Sequence, residues 1–98
     1  MADRLRFHRL APDDLRDAIN WYDEISVELA NRFRGSVESC LDKVDAHPEA
    51  FAVAFDDVRF ARIERFPYLI LFREDRDTVH VLGVFHSASD MEKWRHRL

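Results

Sequence analysis

A single cysteine, Cys40, cannot close an internal disulfide, which fits a reducing compartment and excludes a disulfide-stapled scaffold. Two glycines and three prolines are too few for a linker-rich or disordered chain. No apolar run approaches the roughly 18 residues that span a bilayer, and the start MADRLRFHRL has no apolar signal-peptide core. The expectation is a soluble, cytoplasmic protein. Lysine is also scarce: Lys43 and Lys93 are the only two. What the chain has is apolar mass. Its 98 residues are 47% hydrophobic, with eight Phe, two Trp and two Tyr, enough for one modest core and a single domain spanning 1–98.

The net charge of −4 is unevenly spread. Residues 11–50 carry four basic side chains against ten carboxylates, a balance of −6, while the remainder carries eleven against nine. The uniform basic coat of a nucleic-acid binder is absent, so no direct DNA binding is expected, and any such contact would come from the mildly basic remainder.

Periodicity sets the elements. Arg4–Leu10 alternates as a short strand. Pro12 then opens a helix with Asp13, Asp14 and Asp17 where the helix dipole favours acid, and with Leu15, Ala18, Ile19, Tyr22 and Ile25 as its apolar stripe. Leu29, Phe33, Val37, Cys40, Leu41 and Val44 make a second stripe. Ser26 is a good N-cap for it, so a helical hairpin with a turn around Asp23–Ser26 is expected, ending near His47-Pro48. Residues 49–57 read as a loop or irregular extension, and Val58–Arg65 as a strand. Tyr68–Arg73 and Thr78–His86 are apolar strands joined by the charged turn Glu74–Asp77, rich enough in Val, Leu, Ile and Phe to need cover on both faces. After Ser89 or Asp90 a short helix places Met91, Trp94 and Leu98 on one face, with Lys93, Arg95 and Arg97 outside. The fold class is α+β: an N-terminal strand, a helical hairpin packed on a small, mostly antiparallel sheet, and a short last helix.

This order, with WYDEIS…LANRF, AHPEAF, DVRFARIERFPYLILFR and VHVLGVFH followed by SDMEKW, resembles the RelE/ParE superfamily of bacterial toxin–antitoxin toxins along nearly the whole chain. The phrase RFPY before an apolar strand, and the strand ending in His before D-x-x-x-W, look more like the ParE branch. The resemblance implies a plasmid-stabilisation-type toxin that inhibits DNA gyrase by binding it and is neutralised by a cognate antitoxin. For RelE relatives it implies ribosome-dependent cleavage of mRNA. A non-toxic binding relative is the third reading.

Cleavage through a 2′-hydroxyl needs a base, an acid and cations for the phosphorane charge. Under that alternative the candidates are His86, Tyr68, Arg59 and Arg65, with Arg62 and Arg73 as further cations. The simpler role for His86 is a strand-end histidine bonded to the following turn. His80, Leu82, Val84 and His86 fall on one face by the period of two, but no further ligand spacing supports a metal, and neither metal nor cofactor is expected. Cys40 reads as a small core residue. Arg59, Arg62, Arg73, Arg95 and Arg97, with Trp21 and Trp94, are the residues expected to meet a protein partner, since guanidinium groups suit an acidic segment and aromatics anchor interfaces. The plainer readings are that Trp21 closes the core edge and that Trp94 pins the last helix. With no convincing catalytic set, the expectation is a toxin that is not an enzyme.

Overall fold

The computed structural model describes residues 4–98, so the first three residues of the expected 1–98 domain lie outside it. The elements run β1 (Leu5–Phe7), α1 (Ala11–Ile25), α2 (Val27–Ala46), a 3₁₀ turn at Pro48–Ala50, β2 (Val53–Phe55), β3 (Val58–Arg62), β4 (Tyr68–Asp75), β5 (Thr78–His86) and α3 (Met91–Arg95). They form an α+β fold with the expected helical pair and an antiparallel-dominated sheet.

The two helices are separated by one residue. Ser26 is extended (φ −163°, ψ 147°), and its Oγ accepts from the Leu29 amide at 3.0 Å, satisfying one of the orphan donors that open α2. The cap stops α1 and starts α2 in a single step, which brings their apolar stripes together. At the other end His47 leaves helical geometry before Pro48, as the pre-proline clash requires.

The sheet order is β1-β5-β4-β3-β2, with β1 parallel to β5 and the other pairs antiparallel. Strand β1 ends at Phe7 and not at Leu10, because His8 turns the chain: its Nδ1 accepts from the Leu10 amide and its carbonyl from that of Ala11. Residues 53–55, read as irregular, form an edge strand on β3, reached through Asp56 at φ 48°, a conformation that aspartate tolerates. Strand β3 stops at Arg62, short of Arg65, because Arg65 adopts φ 71° and cannot continue a strand.

The sheet is apolar on both faces, as its strands demand. Ile70, Phe72, Val79 and Val81 pack under the hairpin with Tyr22, Phe33, Val37 and Val44. Phe33 is fully buried, a burial that contributes about 2–3 kcal/mol. On the opposite face Phe55, Val58, Leu69, Leu71, Leu82 and Phe85 gather around Trp94. A bulge changes the phase of β5: Leu71 pairs with Gly83 but Phe72 with Val81. Leu82 therefore joins the Trp94 face while Val84 joins the hairpin face. The expectation that His80, Leu82, Val84 and His86 share a face is corrected by that extra residue, which turns His80 and His86 to opposite sides.

A helix of five residues is thin cover for a sheet face. Arginines extend it: the guanidinium of Arg95 lies 4.4 Å from the Phe55 ring centroid, that of Arg97 4.8 Å from Phe85, and that of Arg62 5.8 Å from Phe60.

Candidate functional site

Of the four residues expected for RNA cleavage, two meet. Tyr68 and His86 are cross-strand partners with ring centroids 5.2 Å apart. Burial pushes the Tyr68 phenol above its ordinary value, so it stays protonated and is no base at neutral pH. His86 is exposed, and its Nδ1 accepts from the Ala88 amide at 3.0 Å, which occupies the ring with the turn that follows it. The two cations stand elsewhere. Arg59 pairs in register with Phe72, four residues along β4 from Tyr68 (about 13 Å), and its guanidinium donates to the Phe51 carbonyl. Arg65 sits in the β3–β4 connection, largely exposed, with its Nε 3.9 Å from Glu64. Neither arginine makes a hydrogen bond or ion pair with His86 among the described residues. Among the described residues, no three His, Cys, Asp or Glu side chains gather as a metal site.

The residues expected to meet a partner divide by burial. Trp94 is buried and its Nε1 donates to Ser89 Oγ at 2.9 Å, so its ring anchors α3 and is not presented to a partner. Arg97, expected outside, is drawn inward: it makes a two-pronged ion pair with Asp14 and also donates to the Leu82 carbonyl at 3.1 Å. The cause is the short β1, which ends opposite Val81 and leaves the Leu82 carbonyl and the Val84 amide to Arg97 and Asp14. Arg73 pairs with Asp57 at 3.0 Å, and Arg95 approaches Asp56 at 3.9 Å while covering Phe55. Trp21, expected to close the core edge, is 62% exposed, because Tyr22 takes the inward position next to it.

What the fold assembles instead is a groove of about 770 Å³ between α2 and the β3–β4 connection. Arg32 and Lys43 come to it from α2 and Arg65 from the β3–β4 connection. Arg62 lines it with the backbone beside Cys40 and turns its guanidinium to Phe60 on the other sheet face. Glu64 is the only carboxylate in its lining, 4.0 Å from Lys43. Cys40 lines it too, with Sγ 3.7 Å from the Arg62 carbonyl, and burial pushes its thiol up to about 11. Leu29, Phe51 and Phe66 add apolar surface. Arg32 and Lys43 went unnoticed in the sequence because they sit in its most acidic stretch. Helical spacing is the signal that finds them: at 11 residues apart they fall on one face of α2. A cleft with three cations, one carboxylate and an apolar lining can grip a chain that carries carboxylates and a few apolar side chains. A second, wholly apolar depression of about 200 Å³ lies between β1, α1 and α2, beside Phe7 and Leu15.

The domain is α+β, with a basic, partly apolar cleft between its helical hairpin and its sheet. Residues 5–91 match the family model described as the ParE toxin of type II toxin–antitoxin system, parDE, and the chain belongs to that family. It is similar to toxin ParE2 of Mycobacterium tuberculosis, in strains CDC 1551 / Oshkosh and H37Rv, at 28% identity over 91 residues, covering 92% of this chain and 87% of the relative. Its fold is similar to a structure of the chromosomal ParDE TA system from P. aeruginosa, with a TM-score of 0.68 at 22% identity, covering 84% of this chain and 92% of that one. No helix among the described residues is long and apolar enough to cross a membrane.

Proposed function

We propose that this toxin arrests growth by binding DNA gyrase and breaks no bond itself, and that a cognate antitoxin silences it by laying an acidic segment into the α2 groove. The observation that carries the first half is that the cleavage candidates are not bonded to one another as a set: His86 is tied to Ala88, Tyr68 is held protonated, Arg59 donates to Phe51 and Arg65 stands beside Glu64 at the groove. A binding toxin needs none of them. The second half is supported by the excess of cations in the groove, whose guanidinium groups suit both oxygens of a carboxylate at once.

The test is induction of the chain alone in bacteria, beside His86→Ala, with plasmid supercoiling and message integrity followed together. The expected result is arrest with lost supercoiling and intact message in both. Cleaved message that disappears with His86→Ala establishes a ribonuclease instead. Normal growth establishes a non-toxic relative.

A further inference from the structure

The stripe that α1 lays on the sheet overruns it. Ile25, the last member of that stripe, is 63% exposed, and Trp21, one turn earlier, is 62% exposed. Residues four apart on a helix stand side by side, so the two form one apolar ridge. Val27, across the single-residue hinge at Ser26, is 64% exposed. Three large side chains left open at one end of a small domain exceed the scatter of single exposed apolar residues that needs no explanation.

The hairpin's own residues around this tip carry one sign. Residues 17–31 hold four carboxylates and no basic residue. Asp17 and Glu24 lie four before and three after Trp21 on α1, while Asp23 and Glu28 flank the hinge. None of the four enters an ion pair among the described residues. Such a rim repels nucleic acid and anionic lipid surfaces. It also opposes two-fold self-association, which would set eight carboxylates around one apolar contact. A positively charged protein segment with an apolar side chain is the occupant these charges favour.

We propose that the hairpin tip is the surface with which the toxin grips its target, docking a segment rich in Lys and Arg whose apolar residue packs on Trp21 and Ile25. The proposal rests on the reading of the chain as a toxin that acts by binding protein. It adds a second surface of opposite charge beside the groove, which opens at Leu29 and Arg32 on the same helix and runs to Lys43, about 24 Å from Val27. The antitoxin and the target then hold adjoining surfaces of one toxin.

The tip can be tested without knowing the target. The probes are an amphipathic peptide built of Lys, Arg and Leu, and its counterpart with Glu at every basic position. Trp94 is buried, so peptide contact at the surface is reported by Trp21 emission. The basic peptide is expected to shift that emission to the blue. Its Kd should rise at least tenfold both in Trp21→Ser/Ile25→Ser, followed with a labelled peptide, and in Glu24→Lys/Glu28→Lys. Circular dichroism should show both pairs folded, since all four residues are exposed. Binding of the basic peptide that neither pair weakens overturns the proposal, as does self-association of the unmodified chain that the same substitutions abolish. In a parallel supercoiling assay, gyrase inhibition retained by Trp21→Ser/Ile25→Ser also overturns it. Failure of the unmodified chain to inhibit gyrase overturns the gyrase reading alone, and the peptide titration then decides the tip.

Discussion

Asp14 and Arg97, 83 residues apart in sequence, meet at 2.6 Å and 3.1 Å through both carboxylate oxygens, and Asp14 Oδ2 also accepts from the Val84 amide at 3.1 Å. Both side chains are about 15% exposed. The pair joins the start of α1, the bulged edge of β5 and the segment after α3. Removing one partner from a largely buried pair leaves the other charge without compensation, at a cost of about 3 kcal/mol. Asp14→Asn and Arg97→Ala should each lower the denaturation free energy by about that amount. In a double-mutant cycle the losses should be far from additive. Additive losses would mean that the two side chains act independently.

Gly83 lies under this pair. A Cβ there would stand 2.6 Å from Asp14 Oδ2, 2.7 Å from Arg97 Nη1 and 2.7 Å from Phe85 Cε2. Gly83→Ala is expected to cost about 1–3 kcal/mol, as overpacking does. In an Asp14→Ala background part of that cost should disappear, the remainder being the crowding against Arg97 and Phe85. Urea denaturation of the four chains measures it.

His8 faces the same cluster. Burial first, then the charges of Arg97 and Arg9, hold its ring below the ordinary 6.5, with Asp14 opposing. The unfolded chain therefore binds a proton at a higher pH than the folded one. The stability that comes from keeping this ring neutral is intact above about pH 6.5, the ordinary value, and is lost progressively as pH falls from there through the lower folded-state value. His8→Asn, which retains an acceptor for the Leu10 amide, should flatten the fall in thermal midpoint between pH 7 and pH 5.5. An unchanged slope would assign it to other groups.

Cys40 lines the groove but is inert. A thiol raised from 9.0 to about 11 has a thiolate fraction about 100-fold lower near neutral pH, and buried sulfur adds a steric barrier. A disulfide reagent should modify the native chain at least 100-fold more slowly than the urea-unfolded chain. Rapid native modification would show that the groove opens as far as α2's inner face.

The groove's charge is testable by salt. Arg32→Glu and Lys43→Glu change two exposed α2 side chains and should leave the fold intact. An acidic, partly apolar peptide should lose at least tenfold in affinity to the double variant. The residual binding should depend less on ionic strength than that of the unmodified chain. Equal salt slopes would place the peptide elsewhere.

The local elements were legible because their signals are local. Ser26 caps the helix whose stripe begins at Leu29, and His47 ends it before Pro48; both depend on residues within a few positions of each other. The strand alternation and the order of elements followed in the same way, and with them the α+β class. The sequence by itself also determined that Trp21 and Tyr22 cannot both face inward, since adjacent helical residues point about 100° apart.

Long-range contacts decided the rest. One extra residue at Leu82 reverses the facing of β5, and no composition rule marks it, because Leu, Gly and Val all occur in regular strands. The arginines were ambiguous for the same reason. A guanidinium serves equally well in an ion pair, over an aromatic ring or against a partner, and only tertiary placement sends Arg97 to Asp14, Arg95 to Phe55 and Arg65 to the groove rim. Lys43 and Arg65 become neighbours in a basic cleft only when α2 lies beside the β3–β4 connection, although Lys43 belongs to the acidic part of the sequence. Charge acts through distance in space, and the fold alone sets that distance.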